Sequence, residues 1–534
     1  MNRKTLVLPA VVGLLAPVLA ACGSSDSSGS GGDAIAVGTT DRFTATKDAP
    51  APLDPAYAYD VGTWNILRQT VQTLMIQPKG EGDPVPEAAQ SCGFTDSGNE
   101  RYACTLRDGL KFSNGDKITA ADVKYSIDRA RAIKADSGVS ALLNTIQTVE
   151  TQGDKQVIFH LRTADATFPY KLSTPVAGII NPADYQKNKL RDGFGVDGSG
   201  PYTLSADVKN DEIVKATFTK NPNYKGTLKV NNSKVDMISY ADADAMGKAL
   251  DKGDIDVMTR TMAPEQIQKL SAGTDSNEDL VEMAGLEIRY LAFNTNAPTV
   301  KNKAVRQAMA QLINRGEIVA KVYGTQAEPL YSLVPASITG HSNSFFNKYG
   351  DPSTAKAKAL LTAANISTPV KLTLHYTTDH YGSGTKKEFE VLQKQLNDSG
   401  LFNVDIQGSP WTTFVPAERK GKYDVWGMGW FPDFPDADNY LAPFLDTDNF
   451  LKLPYRNSKI INTLIPASRR EADRLAASSN LTEIQDIVAD DVPILPLWQG
   501  KQYVAARGDV TGTAYALNSS STLQLWELGR GVSG

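Results

Sequence analysis

Apolar residues recur along the chain in two periods, and each switch between the periods marks the border of an element. Alternation predicts a strand over 33–40, and a spacing of three and four places Leu67, Val71 and Leu74 on one face of a helix over 64–75. Tyr102, Cys104 and Leu106 line one face of a second strand, which turns at Arg107-Asp108-Gly109 and again at Asn114-Gly115-Asp116. Thr119-Ala120-Ala121-Asp122 has the form of a capping box, and Val123, Ile127 and Ala130 give the helix after it a buried stripe. A strand over 156–162 turns His160 away from Val157, Phe159 and Leu161 and so toward solvent. Further on, a helix over 242–252 precedes a strand entry at 253–257, and 288–294 reads as a buried strand. The strongest helical pattern runs over 303–322. Helices over 353–364 and 386–399 precede strands at 370–376 and 404–407, and two short strands, 503–506 and 523–526, close the chain. This alternation predicts an α/β fold with a mixed or parallel sheet.

One stretch breaks both periods. From Asp424 to Leu441, a glycine-punctuated strand ending at Trp430 runs into a loop where Phe431, Phe434 and Tyr440 stand among Asp433, Asp436 and Asp438. Aromatic faces exclude water, and a desolvated carboxylate attracts a cation far more strongly than a hydrated one. The segment suits a ligand site; the competing reading is an acidic surface loop with its aromatic residues folded beneath it.

Composition changes the picture mainly at the N-terminus. Arg3 and Lys4 precede an apolar run over 5–19 that Pro9 and Pro17 interrupt, so 1–21 reads as a secretion signal and not as a membrane span. Leu19-Ala20-Ala21-Cys22 resembles the lipobox of bacterial lipoproteins, which implies lipidation at Cys22, a membrane held through that lipid, and exposure on the outer face of the cell membrane. Residues 22–33 form a Gly/Ser tether reaching on the order of 17 Å. The two remaining cysteines, Cys92 and Cys104, are expected to form a disulfide in an oxidising space. A net charge of −5 with mixed signs argues against a nucleic-acid partner. Nucleophile, zinc and phosphate-loop motifs do not occur, and no cofactor is called for. The histidine spacing His375/His380 suits no metal, and Asp433, Asp436 and Asp438 lack the glycine and glutamate of a calcium loop. Binding is therefore expected in place of turnover.

Ten short segments, in order, carry a resemblance over most of the chain. They are Leu53-Asp54-Pro55; Pro86-Glu87-Ala88-Ala89; Thr105 to Phe112 with Asn114-Gly115; Ile118 to Val123 with Arg129; Gly198 to Tyr202; Asn221-Pro222-Asn223-Tyr224; Ala249-Leu250 with Gly253 to Val257; Leu291 to Thr295; Val305 to Ala308; and Pro493 to Leu497. With them the chain resembles the solute-binding proteins of peptide and nickel ABC importers, the family of the oligopeptide- and dipeptide-binding proteins. The resemblance implies a two-lobed periplasmic-binding-protein-like clamshell, class II type, with an additional domain inserted in the N-terminal half. Lobe I would comprise 34–75, 176–287 and 498–534, the extra domain 76–175, and lobe II 288–497.

It also implies a monomer that takes a peptide by hinge closure and delivers it to ABC permease subunits, with an oligosaccharide or other non-peptide solute as the alternative. A secreted hydrolase using Asp433 and Asp436 is the remote one. Nickel is disfavoured by the four histidines. In oligopeptide-binding relatives a Gly-Trp followed by aspartate holds the ligand ammonium. Gly429-Trp430-Phe431-Pro432-Asp433 matches, which makes Asp433 the anchor and Trp430, with Phe431, a wall. Tyr59 and Val61, after Leu53-Asp54-Pro55, and Trp498 would line the same site. Certain tripeptide binders carry an arginine two positions before the Gly-Trp; this chain has Gly427.

Overall fold

In the computed structural model, residues 34–531 are described, apart from 48, 80, 81, 136, 260, 261, 274–276, 448 and 450. The predicted leader, Cys22 and the tether therefore lie outside the described residues. Among the described residues no helix is long and apolar enough to cross a membrane.

The framework is one mixed sheet of eleven strands. Its spatial order is Phe402–Ser409, Val370–Thr377, Val425–Trp430, Glu278–Phe293, Ile494–Arg507, Val257–Thr259, Ala34–Thr39, Lys234–Ser239, Glu212–Lys220 and Tyr202–Lys209, with Ala327–Pro329 added to Ile494–Arg507. Val370–Thr377 and Phe402–Ser409 pair in parallel, so the chain between them must cross over the sheet, and the amphipathic helix Gly384–Asp398 does so. The two central strands are unusually long. Glu278–Phe293 and Ile494–Arg507 pair antiparallel over 278–284 and again over 288–292, with a bulge between. At that bulge a Cβ on Gly285 would collide with the Gly500 carbonyl, so only glycine lets the backbones approach there.

Apolar burial is divided along these two strands. One core gathers side chains from Leu286 to Trp498, including Tyr290, Trp426, Trp430 and Phe444. A second draws on Ile35 to Met237 together with Val504 to Leu528. A smaller third one centres on Met246, Leu250 and Ile267. Each long strand leaves one core and enters another, so these paired strands connect the two halves of the molecule.

Within the second core, a four-stranded antiparallel sheet is ordered Ala89–Phe94, Arg101–Leu106, Gln156–Leu161, Ile146–Gln152. Cys92 and Cys104 face each other in its register and are disulfide-bonded, Cα to Cα 4.1 Å. The helix Ala120–Ile133 packs beside it, and Asp122 accepts the Thr119 N–H at 2.7 Å, closing the helix start. From this helix Arg129, 1% exposed, makes a bidentate pair with Asp54 at 2.8 and 2.6 Å. Two separated sequence segments, Leu53-Asp54-Pro55 and the 120–133 helix, are joined by that pair.

Four expectations are corrected. The 64–75 helix is Val61–Thr70, because the Asp60 carboxylate accepts the Thr63 N–H at 2.9 Å and Val71 is already extended. The 303–322 helix stops at Leu312, where Ile313 turns extended. Asn314 then caps a new turn at the Glu317 N–H, 3.0 Å, and Arg315–Ile318 passes into the wider turn Val319–Tyr323. The separate strands 288–294 and 503–506 are parts of the two long strands. Finally, 523–526 is no strand: the Asn65 side chain accepts the Leu523 N–H and Gln69 donates to the Leu523 carbonyl, both at 2.8 Å. A tight turn at Leu525–Glu527 follows.

Candidate ligand-binding site

Val425–Trp430 lies deep in the sheet, antiparallel to Glu278–Phe293. Its two glycines make room for other side chains: a Cβ on Gly427 would strike the Phe389 ring, and one on Gly429 would strike the Arg289 guanidinium. Past Trp430 the chain leaves the sheet, and Asp433 is fixed from the start of the helix Asp438–Leu445. Asn439 accepts the Asp433 N–H at 2.7 Å and returns its own amide N–H to the carboxylate at 3.0 Å. Tyr59, from a chain segment packed on the other core, donates its hydroxyl to the same oxygen at 3.1 Å.

Asp433 is 9% exposed, and these hydrogen-bond donors are neutral. Burial pushes its carboxyl up to about 6, against the opposing pull of the Asn439 and Tyr59 bonds and the field of Arg68. Arg68 acts at a distance: it donates to the Ser173 carbonyl at 3.2 Å and lies 5.5 Å from the Trp64 ring centre, and burial lowers it to about 10. The Tyr59 hydroxyl is pushed well up by burial and then by the neighbouring Asp433, so it remains a donor.

The other carboxylates of the loop are not surface groups, and the acidic-surface-loop reading is corrected for them. Asp436 takes Arg474 at 2.7 and 3.0 Å; Asp438 takes Arg469 at 2.9 and 3.1 Å; both aspartates are buried. The same region is stitched to residues that flank the four-stranded sheet. Ala166 donates its N–H to the Arg469 carbonyl at 2.8 Å, Asn99 donates to the Arg470 carbonyl at 2.9 Å, and Tyr170 stacks on Phe434 at 5.6 Å. Of the three loop carboxylates, Asp433 alone is left to neutral donors.

Residues 83–452, more than half of the chain, match the family described as bacterial extracellular solute-binding proteins, family 5 Middle. The chain belongs to that family. It is 24% identical over 505 residues to the dipeptide-binding protein DppE of Bacillus subtilis, covering 89% of this chain and 88% of that one. It is also 24% identical to the oligopeptide-binding protein OppA of the same organism, covering 90% and 91%. The dipeptide-binding protein of Pseudoalteromonas sp. SM9913, solved with Met-Leu, superposes with a TM-score of 0.79 at 20% identity, covering 93% and 100%. The fold is thus the two-lobed periplasmic-binding type with an additional domain, and the chain is an extracellular solute-binding protein. The relatives named above are binding proteins.

Among the residues singled out in the sequence, the structure brings Asp433 and Tyr59 together directly. Phe431 and Trp498 meet elsewhere, over Arg289, at 5.6 and 5.1 Å from its guanidinium carbon. Trp430 turns its ring into the first core against Phe444, 5.4 Å, and Val61 opens its helix half-buried. His375 stacks on Tyr423 and His380 on Trp411. Sequence reasoning missed Asn439, Arg68, Arg289 and Glu388. A signal existed for Arg289, a charge inside the apolar run Ile288 to Phe293; none existed for Arg68, which the helix 61–70 carries across from the other half.

Proposed function

We propose that this chain is the ligand-capturing component of an ABC importer for short peptides, which it takes between its two halves by hinge closure. The observation that carries this reading is Asp433, a buried carboxylate with neutral partners and a raised pKa. A ligand ammonium supplies the missing cation, and both charges then leave water together, which is favourable only when they pair. The names of the relatives, dipeptide- and oligopeptide-binding proteins, support the same ligand class. Tyr59, Val61, Phe431 and Trp498 are the proposed walls, while Trp430, whose ring is in the first core, supports them from behind. The halves are lobe I, 34–75, 176–287 and 498–534, and lobe II, 288–497, with 76–175 as the extra domain. Lipid on Cys22 keeps the monomer beside its permease, and catalysis has no part.

Native mass spectrometry of gently purified protein is expected to show co-purifying peptides. By calorimetry, Asp433→Asn is expected to weaken their binding tenfold or more. Co-purification of a saccharide, or unchanged affinity in Asp433→Asn, overturns the reading.

A further inference from the structure

A free peptide has two charged ends, and Asp433 answers one of them. Two arginines stand near that wall. Arg68 is unsuited to an anion, because its field already falls on Asp433, so a ligand carboxylate there would lie beside a like charge. Arg289 lies farther along the same wall. It is 8% exposed and sits directly across the strand pair from Gly429, whose missing side chain gives the guanidinium its space. Three rings surround it, Tyr381 at 4.1 Å, Trp498 at 5.1 Å and Phe431 at 5.6 Å. Two of those rings are already wall candidates, and Phe431 is two residues from Asp433.

Among the described residues, the polar partners of Arg289 are the Glu287 carboxylate and the Ile288 carbonyl, 3.4 Å away, and both meet Nη1. A guanidinium has five N–H donors in a rigid fork. The edge formed by Nε and Nη2 therefore remains for a carboxylate in the two-bond geometry that arginine favours. Glu287 belongs to the bulge where the two long strands cross, and its side chain keeps 18% exposure. It can swing outward without disturbing the core. The nearby Glu388 cannot substitute for it: the carboxylate is held by the Tyr323 hydroxyl at 2.5 Å and the Trp498 N–H at 3.1 Å.

We propose that Arg289 binds the carboxylate end of the ligand and that Glu287 is the internal carboxylate it displaces. This rests on the peptide reading above and deepens it to a length class. Asp433 is four positions along the chain from Gly429, which lies across from Arg289, at most about 14 Å of extended backbone. A free-acid peptide of two to four residues spans that distance; a longer one would have to carry its terminus past Arg289.

The experiment compares tri- and tetrapeptide libraries as free acids and as C-terminal amides, by calorimetry, on the full chain and on Arg289→Gln and Glu287→Gln. Wild type is expected to prefer the acids about tenfold or more. Arg289→Gln is expected to bind acids and amides alike, and Glu287→Gln to widen the preference for acids. An unchanged preference in Arg289→Gln, or none in wild type while Asp433→Asn still weakens both forms, overturns this proposal and leaves the peptide reading standing. Wild type that binds neither form overturns both. Should Arg289→Gln fail to fold, Glu287→Gln decides, and an unaltered ratio there overturns the proposal.

Discussion

Asp433 shows at the scale of one residue how a site costs stability. Its folded pKa, about 6, lies above the 3.8 of an unperturbed aspartate because burial disfavours the charged form. A raised carboxyl contributes stability below about 3.8, where it is protonated folded or unfolded, and loses it as pH rises through about 6. The loss is complete above that and amounts to roughly 3 kcal/mol. Asp433→Asn keeps the shape and removes the charge, so calorimetric scans of the ligand-free variant should show a higher Tm than wild type at pH 8 and an equal one near pH 4. Ligand behaves oppositely: peptide affinity of the wild type should fall as pH drops below about 6 and the anchor protonates. The Gly-Trp spacing made this residue legible from sequence. That Asn439 and Tyr59 would be its partners was not legible, because Tyr59 lies 374 residues away.

At the scale of elements, the loop between Val425–Trp430 and the helix Asp438–Leu445 is held by arginines it does not contain. Asp438 stands in the first turn of that helix, where a negative charge suits the helix dipole, and Arg469 reaches it from the helix Ile465–Arg470. Arg469 also contacts Asp446 at 3.3 Å, and the pairing raises its own pKa. Arg469→Met would leave Asp438 buried without its cation, at a cost of about 3–5 kcal/mol in urea unfolding. Arg469→Met with Asp438→Asn should recover much of it. The single variant should also weaken ligand binding although Arg469 does not touch Asp433, because Asn439 moves with the helix. The sequence placed Asp436 correctly in a loop but missed that Asp438 opens a helix, and it could not tell that both were buried, since their arginines come from a later segment. The break after Leu312 escaped notice for a related reason: the apolar spacing continues through Val322, and only the Asn314 cap interrupts the helix.

At the scale of the whole molecule, two cores are joined by two long paired strands, and the Tyr59–Asp433 bond runs from one half to the other. Tyr59→Phe removes a hydrogen bond to a charged group, worth roughly 1.5–3 kcal/mol to the contact between the halves. Peptide affinity should fall about tenfold, with the loss in the dissociation rate and little change in association, as read by stopped-flow tryptophan fluorescence. A faster association with an unchanged off-rate would remove that bond from the closure step.

The sequence by itself determined the alternation of helix and strand and the family, and it singled out Asp433. These rest on local periodicity and short-range spacing, and both are written in neighbouring residues. Only the tertiary structure decided which carboxylates are paired with arginine and which is held by neutral donors, because each arginine arrives from a distant segment. It also decided that Arg289 has room beside Gly429. The absence of a Cβ acquires meaning only when a second strand is laid across it.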